Sequence, residues 1–375
     1  MKDTIAMILA GGRVEELGLL TLHRPKSAVP YGGLYRIIDF PLSNLMYSGI
    51  ENVGILSQYR PTSLIAHVGT GESWDFIGSK RCVRILPPYK GEKDSDWYKG
   101  TADAVYQNIG YIESFNAKYV LIISGDHVYR MDYGQIIEFH KEKEAELTIG
   151  FIKVQKEGAE RFGLANLDKD GEVKEYFEKP TIPKSDLASL TIYLFNKDIL
   201  LEKIKENSKE KSHEFGKDII PKMIGKNRVF GYLFEGYWGY TRTIEEYWES
   251  NMDVLHSRKK MDLSNWGIRT NLENILSMPP AYFGKNAVVS NSFVAPGCFI
   301  DGEVEESILF PGVKIGKNSF LDECIIMHNT IISEDVNLKK VIADKNVFIE
   351  KGCKIGNENE IKLIGKGSVV KGVGK

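Results

Sequence analysis

The sequence predicts an α/β chain in two parts. An amino-terminal domain is built on a mostly parallel sheet, and a left-handed parallel β-helix follows it. Three observations carry this. The chain opens with an apolar run, Ile5-Ala6-Met7-Ile8-Leu9-Ala10, ending in Gly11-Gly12, the pattern of a buried strand feeding a tight loop. Apolar runs and helical patterns then alternate to about residue 257, as in an α/β sheet. After Pro279-Pro280 the helical patterns stop, and small apolar pairs recur about six residues apart, the hexapeptide signature of a β-helix.

In chain order, Val53–Leu56, Tyr119–Ile123, Leu147–Phe151 and Leu190–Phe195 follow the first strand. Each reads as a strand covered on both faces, typical of parallel sheets. Tyr133–Lys143 and Asp198–Lys205 read as helices between them. Sites in such sheets lie at the carboxyl edge of the strands. Glycines after the first strand would let backbone N–H groups approach a phosphate, and a following helix N-terminus would add a favourable dipole. Residues 1–257 form this domain, 258–280 a charged and then polar connector, and 281–375 the β-helix. The helix is read from Ala287–Ile300, Val313–Gly316, Val341–Asp344, Val347–Ile349 and Cys353–Gly356. A meandering antiparallel sheet is the competing reading, disfavoured by the recurrent glycine spacing.

The 375 residues, 42% hydrophobic and 27% charged, suffice for two domains with large cores. A net charge of −2 offers no basic surface, so nucleic acid is not an expected partner. Cys82, Cys298, Cys324 and Cys353 form no Cys-Xaa-Xaa-Cys pair and read as reduced thiols. No signal peptide or run of membrane-spanning length is visible. The expectation is a cytoplasmic chain with no membrane partner.

Six stretches carry a resemblance. They are Leu9-Ala10-Gly11-Gly12-Arg13, Arg36–Phe40, Trp97–Ala104, Gly125–Tyr129, Phe177-Glu178-Lys179-Pro180 and His213–Asp218. Together and in this order they resemble the glucose-1-phosphate adenylyltransferases (ADP-glucose pyrophosphorylases) of bacterial glycogen synthesis. The resemblance implies a Rossmann-like nucleotidyltransferase domain followed by a left-handed β-helix. It also implies formation of ADP-glucose and pyrophosphate from ATP and glucose 1-phosphate with Mg²⁺.

It assigns roles residue by residue. Leu9, Ala10, Gly11 and Gly12, with Trp97, Tyr98 and Gly100, would bind the nucleotide, an aromatic ring offering a stacking surface to the base. Glu178 would accept hydrogen bonds from the sugar and Lys179 would neutralise its phosphate, beside Ser189; Thr191 stands where the family has glycine. Asp126 would be a metal carboxylate, suited to Mg²⁺ as a hard oxygen ligand. Lys26 matches a catalytic or phosphate-facing lysine. His23, Arg24, Lys26 and Arg36 lie where members bind anionic effectors, and Gln58 matches a glutamine that relays regulation. The plain alternatives are a solvated basic loop, an Asp turn cap, a surface Lys/Glu pair and exposed aromatics.

Two departures stand against catalysis. Active members resemble Gly-Gly-Xaa-Gly-Thr-Arg-Leu in the first loop, where this chain has Val14, Glu15 and Glu16. Two carboxylates in a triphosphate cradle oppose binding. The second metal aspartate lies in a run resembling Tyr-Trp-Arg-Asp-Val-Gly-Thr, and here Tyr240 takes its place, with Arg242 replacing the glycine. A neutral phenol does not replace a bridging carboxylate. The catalytic set is therefore read as none intact, with Lys26 and Asp126 vestigial and Mg²⁺ binding weakened.

The expectation is a regulatory subunit. Its partners would be a catalytic ADP-glucose pyrophosphorylase subunit, in a hetero-tetramer, and a sugar-phosphate or nucleotide effector. One alternative is an active adenylyltransferase that tolerates both changes. Another is a hexapeptide acyltransferase using His328, the only histidine after residue 280, which leaves the first domain unexplained.

Overall fold

A computed structural model describes residues 2–89, 97–256, 261–273 and 275–372. The first domain holds a nine-stranded sheet. Its centre is parallel: Thr4–Leu9 lies between Asn52–Leu56 and Tyr119–Ser124, and Cys82–Leu86 extends it. Side chains alternate across a strand, so the first strand feeds two cores. Ile5 and Met7 pack with Val105 and Leu200 on one face, and Ala6 and Ile8 pack with Leu42 and Ile136 on the other.

The sheet is mixed, which corrects the reading of two strands. Leu187–Asn196 runs antiparallel to both Tyr119–Ser124 and Leu147–Lys153. Among the described residues, only the pairing of Leu147–Lys153 with Val229–Leu233 is parallel on that side. An apolar run reports burial on both faces; it carries no strand direction.

The second domain is a three-sided coil of six-, five- and five-stranded sheets. Its strand pairs are parallel, for example Phe299–Ile300 on Lys314–Ile315 and on to Ile331–Ile332 and Phe348–Ile349. Ile300, Ile315, Ile332 and Ile349 stack inward in register, each at most 1% exposed. Burial of each such side chain contributes about 2 kcal/mol.

One row of the coil, Phe293, Ile308, Ile325, Ile342 and Leu363, is in register along a second sheet. It packs against Leu17, Leu20, Tyr31, Phe40 and Tyr247 of the first domain. Met261, Leu263, Trp266 and Ile268 of the segment between the domains join this core, whereas Leu276 further on is exposed. Met261 is fully buried, and the Trp74 indole donates to the Arg269 carbonyl at 3.0 Å. Residues 258–260 and 274 of the expected connector lie outside the described residues.

Candidate active site and interdomain site

The carboxyl ends of the Thr4–Leu9 and Tyr119–Ser124 strands border two joined cavities of about 600 and 370 Å³. Both are lined by Leu9, Val14, Lys26, Ser124, Asp126 and Glu214. Where they meet, Lys26 Nζ lies 3.2 Å from Asp126 Oδ2. The Ser124 hydroxyl donates to Asp126 Oδ1, and His127 Nε2 is 3.6 Å from the same oxygen. Burial pushes the Asp126 carboxyl up, but Lys26, His127 and Ser124 outweigh it and hold the carboxyl well below the usual range. Burial lowers Lys26, against the pull of Asp126. It also takes His127 down to about 4, so that imidazole is neutral at neutral pH.

Tyr240 closes this end. Its ring packs edge-on against His127 and Phe162, with centroids 5.3 and 4.7 Å apart, and Lys26 Nζ lies 5.2 Å from its centre. Burial raises the phenol pKa, so it stays neutral. Its hydroxyl accepts from Arg242 Nη1 at 3.5 Å. Arg242 Nε and Nη2 donate to Glu16 Oε1 at 2.9 and 2.8 Å. Backbone hydrogen bonding and Arg242 together lower the Glu16 pKa. Glu15 is 4.0 Å from Arg13, its side chain 83% exposed, so Glu16 is the loop carboxylate that engages the site. Among the described residues, no three His, Cys, Asp or Glu side chains gather as a metal would need.

The far wall of the larger cavity carries hydroxyl and carboxyl groups. The Tyr176 hydroxyl donates to Glu178 Oε2 at 3.2 Å, and Lys179 Nζ is 3.9 Å from Oε1. Burial raises the Glu178 pKa. A Cβ on Gly216 would fall 2.1 Å from Glu178 Oε2, so the Glu178 carboxylate lies directly against the Gly216 backbone. Ser189 and Thr191 sit where the pairing of Leu187–Asn196 with Leu147–Lys153 breaks register between Ser189 and Tyr193. Thr191 has φ 53°, a left-handed conformation that is a genuine outlier for a β-branched residue.

The smaller cavity is lined by Ala10, Gly11, Gly12, Gln58, Tyr98 and Gly100 among others. The Tyr98 amide donates to Gln58 Oε1 at 2.8 Å and its hydroxyl to the Leu86 carbonyl at 2.9 Å. Burial pushes that phenol up to about 12. Gly100 is extended, and a Cβ there would meet the His213 carbonyl at 2.2 Å.

A model for nucleotidyl transferases matches residues 5–257, and one described as GlmU-like, C-terminal hexapeptide, matches residues 279–366. The chain is 46% identical to a glucose-1-phosphate adenylyltransferase of Clostridium perfringens, over 99% of this chain and 95% of that one. It is 46% identical to the Clostridium beijerinckii protein of the same name, over 98% and 96%. Against the one from Desulforamulus reducens it is 44% identical over 95% and 90%. The chain belongs to the glucose-1-phosphate adenylyltransferase family. Adenylyltransferases of this type generally use Mg²⁺. No helix of the described residues is long and apolar enough to cross a membrane.

The residues that glucose-1-phosphate adenylyltransferase motifs single out are not all brought together. Leu9 to Gly12, Gln58, Tyr98 and Gly100 line the smaller cavity, and Glu178, Lys179 and Ser189 the larger. Trp97 is 68% exposed and lines neither. The residues just before it, 90–96, lie outside the described residues.

The basic cluster after the first loop is dispersed. Lys26 turns to Asp126, and His23 is exposed. Arg24 Nη2 donates to Asp344 Oδ1 and Oδ2 at 2.7 and 2.5 Å, both side chains being buried. Arg36 Nη1 donates to the Ser63 carbonyl and hydroxyl, each at 2.7 Å.

Arg36 lines a separate cavity of about 150 Å³ between the domains, with His67, His328 and Lys345. Burial, then the charges of Arg36 and Arg24, push Lys345 down to about 7. His328 is also lowered, mainly by burial. Sequence reasoning missed Asp344 and Lys345 because they come from the β-helix and carry no motif. It also gave no role to Arg161, Glu214 or Lys217, which line the larger cavity. Glu214 and Lys217 were signalled by the His213–Asp218 stretch, whereas Arg161 had no signal.

Proposed function

We propose that the chain is a regulatory, non-catalytic subunit of ADP-glucose pyrophosphorylase. It would act in cytoplasmic glycogen synthesis by pairing with a catalytic homologue in a hetero-tetramer. The observation that supports this most is the Glu16–Arg242 pair beside Tyr240. Where the family resemblance leads one to expect a phosphate-facing arginine and a metal aspartate, the site holds an acid and a phenol. The remaining carboxylate, Asp126, is already neutralised by Lys26. Such donors suit a divalent cation poorly, because a metal beside Asp126 would face Lys26 and Arg242. Nucleotidyl transfer depends on positioning and on neutralising charge that develops at phosphorus. The basic cavity between the domains is our candidate for the sugar-phosphate or nucleotide effector.

The test is ADP-glucose formation from ATP, glucose 1-phosphate and Mg²⁺ by the chain alone, by an active homologue alone, and by the two together. The chain alone is expected to form little product and to change the affinity or turnover of its partner. A specific activity within about tenfold of ordinary members, or ~1.4 kcal/mol of barrier, overturns the reading. It would favour the second one, an active adenylyltransferase tolerating both changes. What favours that reading is that its relatives carry the enzyme's name, and that Lys26, Asp126, Glu178 and Lys179 still line one cavity.

A further inference from the structure

We propose that one side of the β-helix is an interface on which a second copy of this chain packs, face to face and with the two coils antiparallel. The three sides of the coil present different outward rows. One is the apolar row from Phe293 to Leu363, which the first domain covers. On the side that starts at Val288–Ser290 the outward row is broken by Glu303, Asn337 and Lys354. Its neighbouring row, Ser290, Glu305, Asp322 and Lys339, is wholly polar, so that side suits water.

The third row is Tyr282, Phe299, Lys314, Ile331, Phe348 and Val369, one residue from each of six strands in register. Five of the six are apolar, and those five are 38–58% exposed. The Tyr282 and Phe299 rings stack with centroids 5.3 Å apart. At the usual strand spacing the row is about 24 Å long. It has the composition of the covered row, yet it lies exposed. A contiguous apolar strip of this kind on a folded surface marks an interaction site.

Charge decides what covers it. Two copies laid face to face with their coils parallel would set Lys314 against Lys314. Turned about an axis along the strands, they oppose the rungs in reverse order. Tyr282 then faces Val369 of the second copy, Phe299 faces Phe348, and Lys314 faces Ile331. The turns that follow these strands meet in the same order. Lys317, after Lys314–Ile315, comes beside Glu334 and Asp335, after Ile331–Ile332, and Asp301 comes beside Lys351. The two-fold axis repeats each pairing, the self-complementarity that an isologous interface needs. Within one copy Lys351 already lies 2.9 and 3.1 Å from Glu334 and Asp335, so Lys317 joins a cluster that carries a surplus acid. The outermost rungs set Lys285 against Lys371, at exposed ends where salt screens them. The two sheets would interdigitate as in a sandwich core. Two such strips bury on the order of 1,000 Å² in total, the lower end for a specific interface, which suits a micromolar association.

The experiment is light scattering of the full chain, with cross-linking by a short bis-maleimide. At about 100 µM, particles of the unaltered chain should have about twice the mass of those of the variant Phe299→Asp with Phe348→Asp. Both rings point outward, so the variant should keep the thermal melt of the dilute chain. Orientation is read separately. Phe299→Cys and Phe348→Cys chains should cross-link when mixed, and neither with itself beyond the background of the unaltered chain. One chain per particle up to about 100 µM, or equal masses for the unaltered and aspartate chains, overturns the proposal. So does self-cross-linking of Phe299→Cys alone, which parallel coils would give. Should the aspartate variant fail to fold, absence of the mixed cross-link overturns the proposal just as well. No catalytic group enters this test, so its outcome is separate from that of the regulatory reading.

Discussion

Glu16 and Arg242, 226 positions apart, meet at the mouth of the larger cavity, with two guanidinium nitrogens on one carboxylate oxygen. Each replaces a residue of the family pattern, and the two replacements satisfy each other. An acid in the phosphate loop looks purely repulsive in sequence. In the folded chain it is balanced by a cation from the altered metal end. The two departures from the family pattern are therefore joined by one ion pair.

On the non-catalytic reading proposed above, that pairing orders the repair of activity. Glu16→Arg alone would put two guanidinium groups where an ion pair stood, so it is expected to gain nothing. The loop set Val14→Gly, Glu15→Thr and Glu16→Arg made together with Arg242→Gly is expected to improve ATP affinity. Turnover should return only when Tyr240→Asp is added, because two groups acting on one transition state are strongly non-additive. Gly239 stays, since a Cβ there would fall 2.6 Å from the Ser250 hydroxyl oxygen. ATP titration and ADP-glucose assays on each combination decide this. Normal turnover without the aspartate would show that Tyr240 is not the lesion.

Thr191 holds a conformation that glycine adopts freely. A left-handed residue costs about 1–2 kcal/mol, and glycine's greater unfolded freedom costs about 0.5–1 kcal/mol. Thr191→Gly is therefore expected to be neutral or to stabilise by up to ~1.5 kcal/mol in urea unfolding. A loss larger than ~1 kcal/mol would mean that the threonine's own contacts outweigh its backbone strain.

Arg24 and Asp344 form a buried pair between the domains. Removing one member leaves an uncompensated buried charge, so Arg24→Met should cost about 3–5 kcal/mol. The exposed Glu16–Arg242 pair should give less than ~1 kcal/mol on Glu16→Gln. Equal costs for the two in denaturant unfolding would contradict the burial contrast on which both figures rest.

Lys345 gives a pH signature. Its ordinary value of 10.5 falls to about 7 in the folded chain, through burial and the charges of Arg36, Arg24 and Lys366, with Asp344 opposing. Between those values the unfolded chain binds more protons, so this group's contribution to stability rises with pH from about 7 to 10.5. An anion in the interdomain cavity has the reverse dependence, since it needs the charged lysine. Stabilisation by sulfate, whose charge is the same throughout this range, should be larger at about pH 6 than at about pH 8 in thermal melts. Lys345→Met should flatten that difference; sulfate stabilisation independent of pH in the unaltered chain would rule the lysine out.

Much of this was legible in the residues. The first strand, its Gly11-Gly12 turn and the cleft at its carboxyl edge follow from a local apolar run and its terminator. The β-helix follows from a repeat that only stacking can bury. The direction of the Leu187–Asn196 strand was not legible, because both faces are buried whichever way it runs. The outward turn of Trp97 was not legible either, since an aromatic at a loop reads the same as a stacking platform or a solvated ring.

The sequence by itself determined the two-part architecture, the family and the place of the cleft. Burial pattern, turn chemistry and repeat period are properties of neighbouring residues. Tertiary structure alone decided which charge answers which. Arg24 meets Asp344 across 320 positions, Arg242 meets Glu16 across 226, and Lys26 turns from its basic neighbours to Asp126. A sequence records the sign of each charge, but the energy of a pair depends on separation and burial, and only the fold sets those.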